Sequence, residues 1–330
     1  MEKILCVFAA SFALSFLFLK LLIPWLKRTQ AKQEILKYVE EHKQKAGTPT
    51  MGGIAFLLAA VSAYLLFCDS SNSLALMSLA VTLGYGVVGF LDDFIKIKFK
   101  RNLGLRAYQK AALQLAVALI VGFFCLNNPL IDGEFVIPFL DAMVNFGVWT
   151  VPFVVFVFLA TTNGVNLTDG MDGLAGSVSC VFFGVMAILL AVSSVSFDTG
   201  GMITYAEEYF NLALFSFSLF GALLAYIIFN VFPAKIFMGD TGSLALGGAV
   251  ACVAAFSKNS LLIPLVGVMF VVSVVSVILQ VVRFKLTRKR FFLMAPYHHH
   301  LQMKGMSEPR IVCVYTTITL IMGILVLTVG

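Results

Sequence analysis

The chain has 330 residues, of which 60% are hydrophobic and 12% are charged, and its formal net charge is +6. Its mean hydropathy of +0.97 lies far outside the range of soluble domains and excludes a water-soluble globular fold. A helix needs about 20 mainly apolar residues to cross a bilayer, and backbone exposed to lipid must satisfy its own hydrogen bonds. The apolar segments are therefore predicted to be transmembrane helices.

Ten such segments follow one another along the chain, at 4–24, 51–67, 74–91, 110–127, 145–161, 174–193, 209–229, 241–256, 262–282 and 312–328. The first is predicted to be a helix rather than a cleaved signal peptide, because it lacks a small-residue cleavage site and Lys27 and Arg28 follow it. No soluble domain, low-complexity tract or clear repeat is present, so residues 1–330 are expected to form one membrane domain.

The basic residues predict how these helices are oriented. Nearly all of the 23 fall in alternate loops, 25–50, 92–110, 230–240 and 283–311. The loops between them, 68–73, 128–144 and 194–208, contain none. Because cytoplasmic loops carry the Lys and Arg excess, both termini are predicted to lie outside. This partition is better explained by membrane insertion and anionic lipid headgroups than by nucleic acid, which is not expected as a partner.

A pair of acidic residues, Asp92 and Asp93, is predicted to end the third span. Two carboxylates at a helix C-terminus are disfavoured by about 0.3–1 kcal/mol each unless a cation compensates them. Lys96 is spaced to form ordinary helix-surface ion pairs with both. A divalent metal or a proton-transfer role is the functional alternative, and the pair alone does not decide between them.

The fifth span leads into a segment in which polar residues recur every three positions, at Asn163, Asn166, Asp169 and Asp172. In a helical or tight-turn backbone they would form one polar ridge. The structural alternative is an Asx-rich loop in which Asp172 caps the next helix. Ionisable residues at a membrane boundary are functional hypotheses by default, so the ridge is predicted to belong to a functional site.

The segment 237–243, Phe-Met-Gly-Asp-Thr-Gly-Ser, immediately precedes the eighth span. Glycines permit close backbone approach, and a helix N-terminus offers N–H groups to phosphate. Asp240 is predicted to bind Mg²⁺ there, against a competing role as the helix N-cap. Phe237 suits stacking on a flat base, although a membrane anchor is the ordinary role of a boundary Phe.

Residues 295–301, Ala-Pro-Tyr-His-His-His-Leu, contain three of the four histidines. Consecutive histidines do not easily face one metal, so zinc is not predicted. Imidazoles can donate hydrogen bonds to phosphate, and a diphosphate contact is favoured. The six cysteines have no paired spacing and are predicted to be small packing residues. Acids that suit Mg²⁺ beside phosphate-binding groups indicate a phosphate-handling enzyme.

In order, these motifs resemble those of the bacterial phospho-N-acetylmuramoyl-pentapeptide transferases, also called translocase I, of the polyprenyl-phosphate N-acetylhexosamine-1-phosphate transferase superfamily. The resemblance covers nearly the whole chain and rests on 42–53, 92–93, 163–176, 237–243 and 296–301. The first and last also separate this branch from relatives that use N-acetylglucosamine phosphate. Tyr297 departs from the usual Ile, and Leu301-Gln302 from the usual Phe-Glu; neither change removes a proposed catalytic group.

The resemblance implies an all-α integral membrane protein of the bacterial inner membrane, with ten transmembrane helices, both termini outside, an interrupted ninth helix, a cytoplasmic-face active site and a homodimeric state. It also implies that UDP-N-acetylmuramoyl-pentapeptide and undecaprenyl phosphate give lipid I and UMP, with Mg²⁺ required. Direct attack by the lipid phosphate is favoured, because a phosphate monoester has a second pKa of about 6 and needs little help from a base.

The resemblance further implies the roles of individual residues. The expected catalytic residues are Asp92, Asp93, Asp240 and His299, with Asp92 as the usual candidate for a base and Asp240 as the metal ligand. Asp93, Asn166 and Asp169 are expected to support the metal and the diphosphate. The negative charge of the phosphates is expected to be held by Lys45, Lys110, His298, His299 and His300. The uridine pocket is expected to comprise Gly170, Met171, Asp172, Asn230 and Phe237, with further substrate contacts from Thr50 and Gln280.

Three alternatives remain open at this point. Lys45 and Lys110 lie in loops that are basic for topological reasons alone. The same chemistry with UDP-N-acetylglucosamine is a second enzymatic hypothesis. A transporter is the alternative from another class; it predicts acids near the middle of spans and matching halves, neither of which is seen.

Overall fold

The structure, a computed structural model, describes residues 2–28, 47–68, 73–99, 104–140 and 142–329. Most of these residues are helical. The helices are α1 Glu2–Arg28, α2 Gly53–Phe67, α3 Ser73–Lys98, α4 Ala107–Asn127, α5 Thr150–Thr168, α6 Leu174–Thr199, α7 Ile203–Asn230, α8 Gly239–Phe256, α9 Ile263–Val266, α10 Val268–Thr287, α11 Tyr297–Met303 and α12 Glu308–Val329.

Nine helices in the described residues are long and apolar enough to cross a membrane, as expected of an all-α integral membrane protein. They are α1, α3, α4, α5, α6, α7, α8, α10 and α12. The apolar helix α2 has only 15 residues. Ten full spans and the orientation of the termini therefore stay predictions.

Three predicted boundaries were wrong. Helix α3 continues to Lys98, so the acidic pair lies within the helix and does not end it. The predicted loop 194–208 is mostly helical, because α6 runs to Thr199 and α7 begins at Ile203. The predicted loop 128–144 contains most of an antiparallel hairpin, in which β1 Glu134–Val136 pairs with β2 Met143–Asn145. Hydropathy locates only the apolar part of a helix. The helices α3, α6 and α7 continue into more polar sequence beyond that part.

Helix α8 lies at the centre of the fold and is buried from Thr241 to Phe256. Its small residues let neighbouring helices approach closely. A Cβ added to Gly53 of α2 would collide with the Gly242 backbone, and one added to Gly89 of α3 would collide with the Asp240 backbone. Glycines on three helices therefore allow α2 and α3 to meet at the N-terminus of α8.

The ninth span is divided at Gly267 into the short α9 and the long α10, in agreement with the expected interruption. After α10 the chain returns through the short α11, which carries the three histidines. All six cysteines are unpaired, as predicted. Cys125, Cys180 and Cys252 are buried packing residues, whereas Cys6 and Cys313 are exposed.

Candidate active site

Asp93 caps the N-terminus of α8 from the neighbouring helix α3. Its carboxylate accepts hydrogen bonds from the Asp240 N–H at 3.1 Å, the Thr241 N–H at 2.9 Å and the Thr241 hydroxyl at 2.7 Å. A helix N-terminus has free N–H groups and partial positive charge, which a carboxylate satisfies. The positive partner of Asp93 is therefore this helix end, and Asp93 fixes where α8 begins.

Asp240 does not cap its own helix. Its Oδ2 accepts hydrogen bonds from Lys96 Nζ at 2.8 Å and Lys110 Nζ at 3.0 Å, and its Oδ1 accepts one from Asn166 Nδ2 at 2.8 Å. Asn166 also donates to Ser243 Oγ at 2.8 Å. Three helices, α3, α4 and α5, thus contribute to the surroundings of one carboxylate.

Asp92 is buried beside this group. Its Oδ2 lies 2.6 Å from Lys96 Nζ, the ion pair predicted from the i,i+4 spacing. Its Oδ1 accepts the Leu105 N–H at 2.8 Å. Lys96, in the last turn of α3, therefore bridges Asp92 and Asp240, a role that its spacing from Asp92 does not indicate.

The donor set fits a divalent cation. Asp92, Asp93 and Asp240 each bring one carboxylate oxygen within 4.8 Å of the others. Oxygen ligands of this kind suit Mg²⁺. Lys96 and Lys110 offset only part of the carboxylate charge, so a bound cation would complete the balance.

Asp169, the residue after the end of α5, is a further acidic group near these carboxylates. Burial raises its pKa well above the usual range, and the nearby carboxylates of Asp240, Asp93 and Asp172 raise it further. An acid in such surroundings ionises only when a cation is close. Burial and the neighbouring carboxylates thus both disfavour the ionised form of Asp169.

Asp172 and Asn230 hold the segment between α7 and α8. The Asp172 carboxylate accepts the Ala234 N–H at 2.9 Å and does not cap α6. Asn230 accepts the Gly173 N–H at 3.0 Å and donates to the Ile236 carbonyl at 2.8 Å. These two predicted substrate residues thus hold the backbone of the loop that contains Phe237.

Phe237 is half-buried, and its backbone pairs with the segment before α2. Its N–H donates to the Pro49 carbonyl and its carbonyl accepts the Gly52 N–H, each at 2.8 Å. Thr50, which lies between Pro49 and Gly52 in the chain, is buried. Its hydroxyl is close to Gly239: a Cβ added to that glycine would lie 3.0 Å from it. The predicted residue Lys45 lies outside the described residues.

The predicted polar ridge does not face a single partner. Asn166 binds Asp240 and Asp172 binds the loop after α7, but Asn163 donates to Gln114 Oε1 at 3.0 Å on α4. The three-residue spacing therefore serves several contacts between helices, and only its middle part reaches the carboxylate group.

The histidine helix α11 packs against the segment after α5. A Cβ added to Gly170 would collide with His298 Nε2 and would lie 3.2 Å from His299 Nε2, so both rings lie close to the Gly170 backbone. His298 is fully buried; burial lowers its pKa to about 3, and His299 adds to that effect. His298 is thus a neutral ring in a packed position, whereas His299 and His300 are half-buried.

Gln280 of α10 orders the loop before α11. Its Oε1 accepts the N–H groups of Phe291 at 2.9 Å and Phe292 at 2.8 Å, and its Nε2 donates to the Phe292 carbonyl at 3.2 Å. This predicted substrate residue therefore contacts the loop that leads to the histidines. Met171, which follows Gly170 in the chain, is buried.

Comparison with known proteins places the chain in a family of enzymes. Residues 75–258 match the model of glycosyl transferase family 4, and residues 45–57 match signature 1 of the phospho-N-acetylmuramoyl-pentapeptide-transferases. A protein of that name from Clostridium kluyveri is 43% identical over 98% of each chain. One from Halalkalibacterium halodurans is 41% identical over 96% of this chain and 94% of its own.

Proposed function

Because the chain belongs to the phospho-N-acetylmuramoyl-pentapeptide-transferase family, we propose that it transfers phospho-N-acetylmuramoyl-pentapeptide from UDP to undecaprenyl phosphate. The products are lipid I, an intermediate of peptidoglycan biosynthesis, and UMP. The protein is a multi-pass membrane phosphoglycosyl transferase.

The observation that carries the proposal is the group of carboxylates and lysines at the N-terminus of α8. Phosphoryl transfer depends on positioning and charge neutralisation more than on covalent chemistry. Asp240, with Asp92 and Asp93 within reach, would hold Mg²⁺. When bound, Mg²⁺ neutralises charge on the diphosphate and on the departing phosphate of UMP.

The residues of the chain have separable roles in this scheme. Lys96 and Lys110 supply positive charge to phosphate oxygens, and Asn166 orients Asp240. Asp93 sets the start of α8 and hence the position of the neighbouring Asp240. The half-buried Phe237 offers a flat face to the uracil ring.

Asp92 is assigned to orientation and not to proton transfer. Lys96 and the Leu105 N–H already engage its two oxygens. The attacking phosphate monoester is largely dianionic at neutral pH, because its second pKa is about 6. Its oxygen attacks the sugar-linked phosphorus, the phosphorus–oxygen bond to UMP breaks, and no proton has to be removed.

The finer features of the proposal follow from charge and topology. The basic loops lie in the cytoplasm, both termini lie outside, and ten helices cross the bacterial inner membrane. The active site then faces the cytoplasmic pool of nucleotide sugar, while the lipid phosphate reaches it from the bilayer. We include the homodimer in the proposal on the basis of the family resemblance.

The test is UMP release by the full chain in detergent. We expect release from UDP-N-acetylmuramoyl-pentapeptide only when both a polyprenyl phosphate and Mg²⁺ are present, and loss of release in EDTA. UDP-N-acetylglucosamine at the same concentration is the matched comparison and should give little UMP. Preferential use of UDP-N-acetylglucosamine, or UMP release without lipid phosphate, would contradict the proposal.

A further inference from the structure

Three side chains connect the histidine helix α11 to the beginning of α12. The His299 Nδ1 lies 3.2 Å from Gln302 Oε1, one helical turn along α11. The Gln302 Nε2 donates a hydrogen bond to Glu308 Oε1 over 3.4 Å. Glu308 is the first residue of α12 and is buried.

The chemistry of the three groups fixes the direction of these contacts. The Gln302 amide nitrogen can only donate, and it faces a carboxylate oxygen of Glu308, which accepts the hydrogen bond. The amide oxygen of Gln302 then faces His299, and an amide oxygen also only accepts. The proton of a neutral His299 ring therefore lies on Nδ1, and Nε2 carries the lone pair.

The opposite side of the His299 ring faces the proposed nucleotide site. Nε2 lies 3.2 Å from the position that a Cβ on Gly170 would occupy. Gly170 follows Asp169 directly and lies in the segment expected to contact uridine. A lone pair at this position can accept a hydrogen bond from a substrate hydroxyl or N–H group, but it cannot donate one to a phosphate oxygen.

We propose that Gln302 and Glu308 are positioning residues that hold neutral His299 in its Nδ1-protonated form, so that Nε2 accepts a hydrogen bond from an O–H or N–H group of the nucleotide substrate. This revises the expectation that His299 donates to the diphosphate. That the donor to His299 Nε2 belongs to a nucleotide substrate rests on the proposed function. The position of the ring proton does not.

The ring proton can be located without substrate. The full chain is labelled with ¹⁵N-histidine in detergent at pH about 8.5, well above the ordinary histidine pKa of about 6.5. Long-range ¹H–¹⁵N correlation distinguishes protonated from bare ring nitrogens, and His299→Asn identifies the His299 signals. We expect a protonated Nδ1 and a bare Nε2 in the wild type.

Two variants test whether Gln302 and Glu308 cause this state. Gln302→Met removes the acceptor at similar size and should shift His299 toward the Nε2-protonated form. The double variant Gln302→Glu with Glu308→Gln exchanges the two groups. The hydrogen bond between positions 302 and 308 then runs from 308 to 302, but position 302 still accepts from His299, so a protonated Nδ1 should be restored. Met303→Leu, at the exposed neighbouring position, is the control and should leave the spectrum unchanged.

A protonated Nε2 in the wild type, or His299 signals that do not change in Gln302→Met, would overturn the proposal. If Gln302→Met fails to fold, the exchanged pair still decides, because a protonated Nε2 in that folded variant contradicts the assigned direction. These results stand whether or not the chain has the proposed transferase activity.

Steady-state kinetics test the consequence for substrate binding. Gln302→Met should raise KM for the nucleotide sugar about 3- to 10-fold, the loss expected for one neutral hydrogen bond, with a smaller change in kcat. His299→Asn should raise KM similarly, and combining the two changes should add little. Fully additive effects would show that Gln302 does not act through His299.

Discussion

The two ends of α8 each place lysine beside carboxylate, but their charge balance differs. Beyond its C-terminal end, Lys258 donates to Glu134 of β1 at 2.8 Å, one cation for one anion. At the N-terminal end, Lys96 and Lys110 share one oxygen of Asp240, and the carboxylates of Asp92, Asp93 and Asp169 lie nearby.

This difference shows that contact between opposite charges does not by itself mark a functional site. At the C-terminal end, Lys258 and Glu134 join the hairpin to the end of α8, and their charges cancel. The group at the N-terminal end has more negative than positive charge in a largely buried place, which is costly unless a ligand offsets it. Excess charge, and not the presence of ion pairs, therefore distinguishes the site.

The largest expected effect is that of Asp240→Asn. It removes the charge that Lys96 and Lys110 share and the proposed metal ligand, so kcat/KM for UMP release should fall about 10²- to 10³-fold. Glu134→Gln, the matched change at the other end of α8, should alter kcat/KM less than about twofold. Similar losses in both variants would erase the distinction between the two ends.

Lys96→Met should lower kcat/KM by about 10- to 100-fold, because it removes charge-assisted hydrogen bonds to two carboxylates. The exposed Lys98, in the last turn of the same helix, is the control. Lys98→Met should leave the rate within about twofold. Equal rates for the two variants would mean that the bridge made by Lys96 has no part in the reaction.

Asp93→Ala separates structure from chemistry within the charged group. It removes the three hydrogen bonds to the N-terminus of α8, so we expect a loss of about 2–3 kcal/mol in the free energy of unfolding. Asp240→Asn should cost less stability, since it leaves that cap in place. Denaturant unfolding in detergent compares them, and a more stable Asp93→Ala variant would contradict the capping role.

The smallest effect is expected at the C-terminal end of α8. Lys258→Met should lower stability by no more than about 1 kcal/mol, because the partner Glu134 is substantially exposed and solvent screens the pair. UMP release should be unchanged. A loss of activity similar to that of Lys96→Met would show that this end also serves the reaction.

The sequence predicted the helical membrane fold because long apolar runs have few alternatives in lipid. It also singled out Asp240 and Asn166, whose side chains meet at 2.8 Å in the structure. Their motifs combine polar residues with helix ends, and that local pattern is sufficient to mark them.

The remaining features depend on contacts between distant parts of the chain. Asp93 and Asp240, whose N–H it caps, are 147 positions apart in the sequence. The residues around Asp93 therefore do not predict that it caps α8. Gly89 is needed because α8 crosses α3 closely at this position, and hydropathy does not predict where two helices cross. The sequence spacing of Lys96 indicates only Asp92 and Asp93 as partners, because its further partner Asp240 lies on a different helix.

Divalent-cation binding tests most directly whether the N-terminal group has excess negative charge that a metal offsets. Titration of the purified chain with Mn²⁺, followed by electron paramagnetic resonance, measures binding without substrate, and added Mg²⁺ should compete. We expect the wild type and Glu134→Gln to bind alike and Asp240→Asn to bind at least about tenfold more weakly. Unchanged Mn²⁺ affinity in Asp240→Asn would contradict the account.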